Sequence, residues 1–327
     1  MATYNAGQYL REAIESILNQ SFTEFEFLIV DAGSTDDTIQ IINSFNDSRI
    51  HIIYKKDGWN FVDSLNLGLS QAKGKYIARM DADDISYACR LQAQYNFLEE
   101  NPGVGACSSW MELCGNRNEV LKMPVFHESI YLGFLISNCF GHAPSMIRRS
   151  ILTDNHISYS NNFPAAEDYF LWLNVVKYTR LHTLPIVLYK YRKHDEQVTV
   201  KRINERANSA SKARNFHFEE ILSQFDLKSE YKLYPTDQNE GMPLDYLEVL
   251  LRKLIVKNRQ SGKFNTILFE RTVLTIFKLH LKRDNRSFIR KFVLLISFMK
   301  SDIFRHLLWT FKTLIALVYF SCSRSPN

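Results

Sequence analysis

The stretch Tyr76-Ile-Ala-Arg-Met-Asp-Ala-Asp-Asp84 decides the fold class of this chain of 327 residues. Its apolar first half is typical of a buried strand, and a cluster of carboxylates begins where that strand would end. Phe27-Leu-Ile-Val30 is followed in the same way by Asp31-Ala-Gly-Ser-Thr35. Ligands of open α/β sheets bind at the carboxyl ends of the strands. The two stretches therefore predict a polar site at one edge of a sheet.

The segments around these strands alternate between helical and extended patterns. Apolar residues follow helical spacing over residues 10–18, 37–45 and 61–72, whereas residues 27–30, 50–54 and 76–80 have the pattern of short buried strands. This alternation predicts crossover connections and a Rossmann-like, mostly parallel sheet that is flanked by helices. We assign the chain to the α/β class.

The pattern changes near residues 200–210, where helical periodicity takes over and Lys and Arg accumulate. We predict an α/β domain over residues 1–205 and a basic helical region over residues 206–327. The basic residues indicate either an anionic partner or an ordinary solvated helix face. An apolar stripe near the end predicts a helix that either lies on an anionic membrane or packs on the first domain. The stripe consists of Phe304, Leu307, Leu308, Phe311, Ile315 and Val318.

Several functional classes are excluded by the composition and by absent motifs. Hydrophobic residues make up 46% and charged residues 23% of the chain, as in ordinary globular proteins. The five cysteines include no CxxC pair, which favours a reducing cytoplasm over a disulfide framework. No signal-peptide pattern, no apolar run of about 20 residues and no nucleic-acid-binding module is present. Neither a Walker loop nor a GxGxxG motif follows any predicted strand.

The cluster Asp81-Ala-Asp-Asp84 needs a cation or another partner, because adjacent carboxylates repel each other. Mg²⁺ and Mn²⁺ prefer such oxygen ligands and leave coordination positions for substrate phosphates. An EF-hand is excluded because its glycine and glutamate positions hold Ser86 and Gln92. The alternative is that the aspartates cap a helix that begins near Tyr87.

Four ordered motifs resemble the family-2 glycosyltransferases of the GT-A fold over residues 1 to about 200. They are Ala2-Thr-Tyr-Asn5, Val30-Asp-Ala-Gly-Ser-Thr-Asp36, Gly74-Lys-Tyr-Ile-Ala-Arg-Met-Asp-Ala-Asp-Asp84 and Ala166-Glu-Asp-Tyr169. The resemblance implies transfer of a sugar, with inversion, from a nucleotide-diphosphate sugar to a hydroxyl of a glycan or lipid-linked acceptor. A UDP-sugar is the expected donor, and Mg²⁺ or Mn²⁺ is the expected cofactor. The implied setting is the synthesis of a surface polysaccharide, such as capsule, O-antigen or exopolysaccharide, at the inner face of the cell membrane.

The resemblance also implies a role for each matching residue. Asp168 would be the general base, and Glu167 and His142 would line the acceptor side. The metal ligands would be Asp83, Asp81 and His194. The residues implied to contact the nucleotide sugar are Thr3, Tyr4, Asp31, Asn66 and Asp81.

General chemistry supports two acidic groups with separate tasks. A cation can neutralise the charge that develops on a departing diphosphate, while one carboxylate opposite it can deprotonate the incoming hydroxyl. Asp168 also has an alternative interpretation as the N-cap of a helix over residues 169–176. For His194, a purely structural role is as good an explanation as a role as a ligand, and the same alternative holds for His142.

Two departures from the family pattern affect these expectations. The family reads the nucleobase with a second acidic residue, and Ala32 occupies that position here. The family also has an apolar strand before Ala-Thr-Tyr-Asn, so the first strand is expected to be missing, and our hypothesis is that Met1 is an internal methionine of a longer product. One alternative function is therefore a transferase-like binding or scaffold protein with impaired catalysis. A nucleotidyltransferase is disfavoured because no Gly-rich basic loop occurs near the start.

Overall fold

The structure of the chain is a computed structural model that describes residues 1–54, 60–114, 119–194, 197, 202–232 and 243–283, together with positions 291, 295 and 298. The chain divides into two compact units, Met1–His217 and Phe218–Asn327. The domain boundary predicted after residue 205 stays a prediction, since this division falls later in the chain and inside a helix.

The first unit alternates strands and helices along most of its length. Its strands are β1 Ala2–Thr3, β2 Phe27–Asp31, β3 Ile50–Tyr54, β4 Tyr76–Ala78, β5 Ile85–Ser86, β6 Val104–Cys114, β7 Glu119–Leu121, β8 Met146–Arg148 and β9 Arg180–Arg192. Its helices are α1 Gly7–Leu18, α2 Thr38–Asn43, α3 Phe61–Gln71, α4 Arg90–Glu100, α5 His127–Gly133, α6 Arg149–Asp154 and α7 Glu167–Val175. Helix α8, Ile203–Gln224, begins in this unit and ends in the next.

The strands form two sheets. The first has the order β1-β2-β3 with parallel pairing throughout. The second has the order β4-β8-β6-β9-β5, and β7 pairs with the later part of β6. In the second sheet only the β6–β9 pair is parallel among the pairs that the described residues form. The parallel sheet predicted for the first part of the chain is therefore present, and a mixed sheet follows it.

Most predicted elements occur at the expected places for the expected reasons. The apolar face of α1 is buried through Leu10, Ala13, Ile14 and Ile17, which repeat at helical spacing. Helix α3 begins at a capping box, in which the side chains of Asn60 and Asp63 each accept a hydrogen bond from the other residue's main chain. Two boundaries differ from the sequence prediction. Strand β4 ends at Ala78 rather than at Met80, and α4 begins at Arg90 rather than near Tyr87.

The first strand of the structure, β1, consists of only two residues, and the missing apolar strand before Ala2 stays a prediction. Strand β1 pairs with β2, and β4 pairs with β8; within the described part of the chain neither has a second partner. A cavity of about 250 Å³ lies between these two sheet edges. Helix α3 lines it with Leu65 and Leu69, and Leu91 of α4 lines it as well. A gap that is lined by both apolar and charged side chains thus separates the parallel sheet from the mixed sheet.

Aromatic side chains dominate one core of the first unit. Trp172 and Tyr169 of α7 are buried and pack with Phe134 and Phe140, and the Phe140 and Trp172 rings meet edge to face at 4.7 Å. This packing fixes the position of α7, whose first turn carries Glu167 and Asp168.

The second unit is helical in its described residues. It contains the end of α8, then α9 Lys228–Lys232, α10 Leu244–Ser261 and α11 Thr266–Arg283. Leu247, Leu251 and Leu254 of α10 are buried, as are Phe269 and Phe277 of α11. Among the described residues no helix is long and apolar enough to span a bilayer. The apolar stripe predicted between Phe304 and Val318 lies outside the described residues.

Candidate active site

The loop Asp81–Asp84 joins β4 to β5 and brings three carboxylates together. None of these aspartates caps α4, whose N-cap is Cys89, so the capping interpretation is wrong. Asp84 is buried, and its Oδ1 accepts a hydrogen bond of 2.8 Å from the main-chain N–H of Arg192. Burial, together with Asp81 and Asp83, raises the pKa of Asp84 well above its ordinary value. Asp84 therefore anchors the loop.

Asp81 lies against a buried cation at the end of β4. Its carboxylate forms an ion pair with the Arg79 guanidinium, and its main-chain N–H donates a hydrogen bond of 3.1 Å to the Tyr189 hydroxyl. Burial raises the pKa of Asp81, and the positive charge of Arg79 opposes that rise. Arg79 and Tyr189 together fix the direction of this carboxylate.

The end of β9 supplies the other partners of the loop. His194 Nε2 lies 2.9 Å from Asp83 Oδ2, and the His194 ring lies 5.0 Å from the Tyr9 ring. Arg192 donates from Nε to the carbonyl oxygen of Asp83 at 2.9 Å and from Nη2 to Glu12 at 2.5 Å. A carboxylate oxygen and an imidazole nitrogen therefore converge at the outer side of the loop.

The segments Thr3–Asn5 and Asp31–Thr35 lie side by side at the ends of β1 and β2. Asp31 Oδ2 accepts from the N–H groups of Gly33 and Ser34 at 2.9 and 3.0 Å, and its Oδ1 accepts from the Ser34 hydroxyl at 2.5 Å. Gly33 has φ of 87°, a left-handed conformation that glycine adopts without strain. The Asn5 N–H in turn donates to Ser34 Oγ at 2.9 Å. The carboxylate of Asp31 thus stabilises the conformation of its own loop through hydrogen bonds.

Thr3 and Tyr4 face different environments at this edge. Thr3 is buried, and its hydroxyl has no hydrogen-bond partner among the described residues. Tyr4 is 61% exposed. An exposed aromatic ring next to a polar loop can stack on a planar base, as aromatic rings do on nucleobases in other proteins.

Glu167 and Asp168 occupy the first turn of α7, where the helix dipole favours negative charge. Ala166 is the N-cap, so the interpretation of Asp168 as an N-cap is wrong. Asp168 accepts from Asn138 Nδ2 at 2.8 Å and from the N–H of Tyr169 at 2.7 Å. Burial raises the pKa of Asp168, and burial together with Asp168 raises the pKa of Glu167 to about 7. The negative charge of Asp81 also raises the pKa of both carboxyl groups, so the start of α7 and the acidic loop interact electrostatically.

His142 contacts Tyr159, whose hydroxyl is subject to the charges of Glu167 and Asp168. His142 Nε2 is 2.7 Å from the Tyr159 hydroxyl, and burial holds the pKa of His142 well below its ordinary value. Both polar atoms of the Asn66 side chain bond to the main chain of Tyr159. Asn66 Nδ2 donates to the Tyr159 carbonyl oxygen at 3.0 Å, and Asn66 Oδ1 accepts from the Tyr159 N–H at 2.9 Å. Asn66 therefore fixes the segment that carries the partner of His142.

Comparison with known proteins identifies the family of the first part of the chain. Residues 1–154 match the family described as glycosyl transferase family 2. This part of the chain belongs to that family. An uncharacterized glycosyltransferase of Haemophilus influenzae is 28% identical over 313 residues, which cover 90% of this chain and 95% of that protein. Escherichia coli WfgD, named as a UDP-Glc:alpha-D-GlcNAc-diphosphoundecaprenol beta-1,3-glucosyltransferase, is 28% identical over 63% of this chain and 80% of its own length.

Solved structures confirm the fold of this glycosyltransferase. Staphylococcus aureus TarS in complex with UDP-GlcNAc has a TM-score of 0.53 at 17% identity, and the match covers 91% of this chain and 79% of that one. The mannosyltransferase PcManGT of Pyrobaculum calidifontis, solved with GDP-Man and Mn²⁺, has a TM-score of 0.51 at 17% identity and covers 99% of this chain and 84% of its own. The predicted α/β class and GT-A fold are confirmed, and the predicted family-2 glycosyltransferase membership is confirmed for residues 1–154.

A divalent metal fits only part of the ligand set that the sequence predicted. No group of three or more His, Cys, Asp or Glu side chains converges as a metal site within the described ranges. Asp83 and His194 do meet, as a carboxylate and an imidazole 2.9 Å apart, whereas Asp81 is engaged by Arg79. Two protein ligands suit a Mg²⁺ or Mn²⁺ ion that takes its remaining oxygens from substrate phosphates and water.

The structure also contains site residues of this glycosyltransferase that the sequence analysis did not single out. Arg79 and Arg192 position the acidic loop, and Asn138 positions Asp168. A charged residue inside an apolar strand pattern was a usable signal for Arg79. No sequence signal pointed to Asn138 or Tyr159, because their roles arise from contacts between distant segments.

Proposed function

We propose that the chain transfers a sugar, with inversion, from a nucleotide-diphosphate sugar to a hydroxyl of a glycan or lipid-linked acceptor in surface polysaccharide synthesis. The observation that carries this proposal is the meeting of two acidic groups in one site. Asp81 and Asp83 lie on one side, paired with Arg79 and His194, and Asp168 lies at the start of α7. A single displacement needs two separate groups: one that neutralises charge on the leaving group and one that acts as a base for the nucleophile.

On the donor side, Asp83 and His194 would hold Mg²⁺ or Mn²⁺, which would neutralise charge on the diphosphate. Asp81 would face the ribose, and Thr3 and Tyr4 would contact the base and ribose. The buried Thr3 hydroxyl without a described partner and the exposed Tyr4 ring support this assignment. A UDP-sugar is the preferred donor, because WfgD is named for UDP-Glc and TarS was solved with UDP-GlcNAc.

On the acceptor side, Asp168 would accept the proton of the attacking hydroxyl. Its hydrogen bonds from Asn138 and from the Tyr169 N–H fix its orientation and favour its ionised form. Glu167 and His142 would line the acceptor pocket, with His142 neutral. The roles of Asn66 and Asp31 would be indirect, since each uses its side-chain atoms to hold a neighbouring segment.

The acceptor would carry a lipid diphosphate, as the name of WfgD states for its own substrate. Such an acceptor would place the enzyme on the inner face of the cell membrane, and the apolar stripe from Phe304 to Val318 is the candidate contact. Flotation with vesicles of anionic phospholipid tests this, using the full chain and a chain truncated near residue 285. Equal partitioning of the two would refute the membrane role of the tail.

A donor screen tests the transferase itself. Release of nucleoside diphosphate is measured for a set of UDP- and GDP-sugars with Mn²⁺, and the anomeric configuration of the product is read by NMR. We expect turnover with one donor, a β-linked product from an α-linked donor, and a strong loss of turnover in Asp83→Ala and Asp168→Asn. Wild-type turnover in both variants would refute the site assignment, and retention of configuration would refute the mechanism.

The second candidate function is a transferase-like binding protein with impaired catalysis. The cavity between β1 and β4 favours it, because this gap weakens the support beneath the acidic loop that follows β4. Donor binding by calorimetry without release of nucleoside diphosphate would favour this candidate over the enzyme.

A further inference from the structure

A second cavity, of about 450 Å³, lies at the opposite end of the mixed sheet from the acidic loop. It is lined by the starts of β6 and β9, where Val104 pairs with Arg180, and by the end of α4. The acidic loop contacts the other end of β9 and the residues after it, at Arg192 and His194. Strand β9 has 13 residues, so at about 3.3 Å per residue the two places are about 40 Å apart along the strand. This distal cavity is therefore separate from the candidate active site.

Aromatic rings form part of the lining of the distal cavity. The His182 ring stacks on Phe97 with their centroids 4.6 Å apart, and it meets the Phe126 ring edge to face at 5.8 Å. Phe126 is 68% exposed, although its ring is large and apolar. A ligand that covered this ring would remove apolar surface from water, which favours binding. The three rings thus offer an apolar platform to a ligand.

Polar side chains that line the distal cavity have free hydrogen-bonding groups. Within the described part of the chain, neither ring nitrogen of His182 makes a hydrogen bond, and neither Arg180 nor Glu100 forms a hydrogen bond or an ion pair. Arg180 and Glu100 are both exposed. His127 differs, because its Nδ1 accepts from the N–H of Leu181 at 3.2 Å. The guanidinium supplies donors and the carboxylate supplies acceptors, so the cavity can bind hydroxyl groups in both ways.

The charges that line the distal cavity are balanced. Arg180 and Glu100 carry opposite charges, and burial lowers the pKa of both His127 and His182, so these imidazoles are uncharged near neutral pH. A phosphate or a nucleotide would meet no excess of positive charge here. A neutral sugar fits better, because its ring has an apolar C–H face for the aromatic platform and hydroxyl groups for the polar side chains.

We propose that the distal cavity binds a neutral stretch of the glycan that the candidate active site extends. This inference rests on the proposed function, because it takes the acceptor to be a glycan. A glycan that occupied both sites would have to span about 40 Å along β9. Attachment at the distal cavity would raise the effective concentration of the glycan at the active site. A short acceptor would reach the active site alone and would gain nothing from the cavity.

Binding of oligosaccharides to the full chain, without donor or metal, tests the site itself. Calorimetry is carried out with maltoheptaose, laminarihexaose and chitohexaose, and uridine and glucose 6-phosphate serve as a planar and an anionic probe. We expect at least one of the three oligosaccharides to bind and to shift the NMR signals of the Phe126 ring, which are assigned by their loss in Phe126→Ala. Absence of binding by all three, or tighter binding of uridine or glucose 6-phosphate at this ring, would overturn the proposal.

Two variants change the distal cavity in independent ways. Phe126→Ala removes the exposed ring and should weaken oligosaccharide binding about tenfold. Gly103→Leu should fill the cavity and abolish binding, and it should fold, because a Cβ added at Gly103 meets no described atom within 4 Å beyond its chain neighbours. Tyr178→Ala is the matched control, since this residue is 56% exposed and does not line the cavity. Wild-type affinity in either cavity variant, or an equal loss in Tyr178→Ala, would contradict the assignment of the site.

Turnover with acceptors of different length gives the second measurement. The ratio of kcat/KM for an acceptor longer than about 40 Å to kcat/KM for a short one should fall about tenfold in Phe126→Ala, through KM rather than kcat. The same ratio should keep its wild-type value in Tyr178→Ala. A wild-type ratio in Phe126→Ala would refute the role of the cavity in holding the acceptor. If the wild type released no nucleoside diphosphate from any donor, the proposed function would fail, and calorimetry would still decide whether the distal cavity binds a glycan.

Discussion

Replacing Asn66 with alanine separates a structural role of this residue from contact with the donor. The Asn66 amide makes two hydrogen bonds to the main chain of Tyr159, at 3.0 and 2.9 Å, across a sequence separation of 93 residues. The alanine variant loses both bonds and leaves the N–H and carbonyl groups of Tyr159 without these partners. At about 1 kcal/mol for each bond, with a further cost for the unpaired groups, we expect a loss of about 2–3 kcal/mol in unfolding free energy.

For a domain of this size, that loss corresponds to a fall in melting temperature of about 5–10 °C. The assay is circular dichroism during heating, supported by urea titration at constant temperature. Asn161→Ala is the matched control, because its amide makes a hydrogen bond of 3.1 Å to Asp63 at an exposed position. This control should change the unfolding free energy by less than about 0.5 kcal/mol. An Asn66→Ala protein with wild-type stability and a raised KM for the donor would refute this reasoning and would indicate a direct donor contact.

Three further predictions concern the acidic groups and the nucleotide loop. Glu167 has a raised pKa of about 7 against an ordinary value of 4.5, so the folded chain keeps a proton that the unfolded chain releases between these pH values. The contribution of Glu167 to the unfolding free energy therefore falls by up to about 3 kcal/mol as pH rises through this window. Glu167→Gln should remove this fall. Parallel pH profiles of the variant and the wild type in urea titrations would contradict this prediction. His194→Ala should weaken Mn²⁺ binding in the presence of nucleoside diphosphate on the order of 10–100-fold, measured by electron paramagnetic resonance. His182→Ala, which changes a histidine that stacks on Phe97 instead, should leave that affinity unchanged, and equal affinities in all three proteins would rule out His194 as a ligand. Ser34→Ala removes the hydroxyl that links Asp31 to the Asn5 N–H, and it should cost about 1 kcal/mol of unfolding free energy and weaken nucleotide binding in calorimetry. Unchanged binding would show that this loop does not shape the nucleotide site.

The motifs of the first unit could be predicted because their chemistry is local. Residues 76–84 combine an apolar strand with a polar end, and this pattern alone indicates the edge of an α/β sheet. Helix α3 was equally predictable, because its apolar residues follow helical spacing; the capping box of Asn60 and Asp63 is a further local signal at its start. The limits of β4 and α4 were less predictable, since hydrogen bonds with other segments decide where each element begins and ends.

The contacts that distinguish the three carboxylates could not be obtained from the sequence. Asp81, Asp83 and Asp84 are equivalent in a linear motif, yet Asp84 is buried against the main chain of Arg192, Asp81 pairs with Arg79, and Asp83 meets His194. Each partner comes from a different position along the chain. Burial and neighbouring charge, which set the pKa of each carboxyl group, exist only after these segments have packed.

The sequence by itself determined the α/β class, the family resemblance and the acidic residues that mark the candidate site, because these depend on local pattern and on ordered motifs. The tertiary structure alone decided that Asn66 holds Tyr159, that Asn138 holds Asp168, and that His194 meets Asp83. The physical reason is distance along the chain: hydrogen bonds and charge interactions between segments tens of residues apart leave no periodic trace in the sequence.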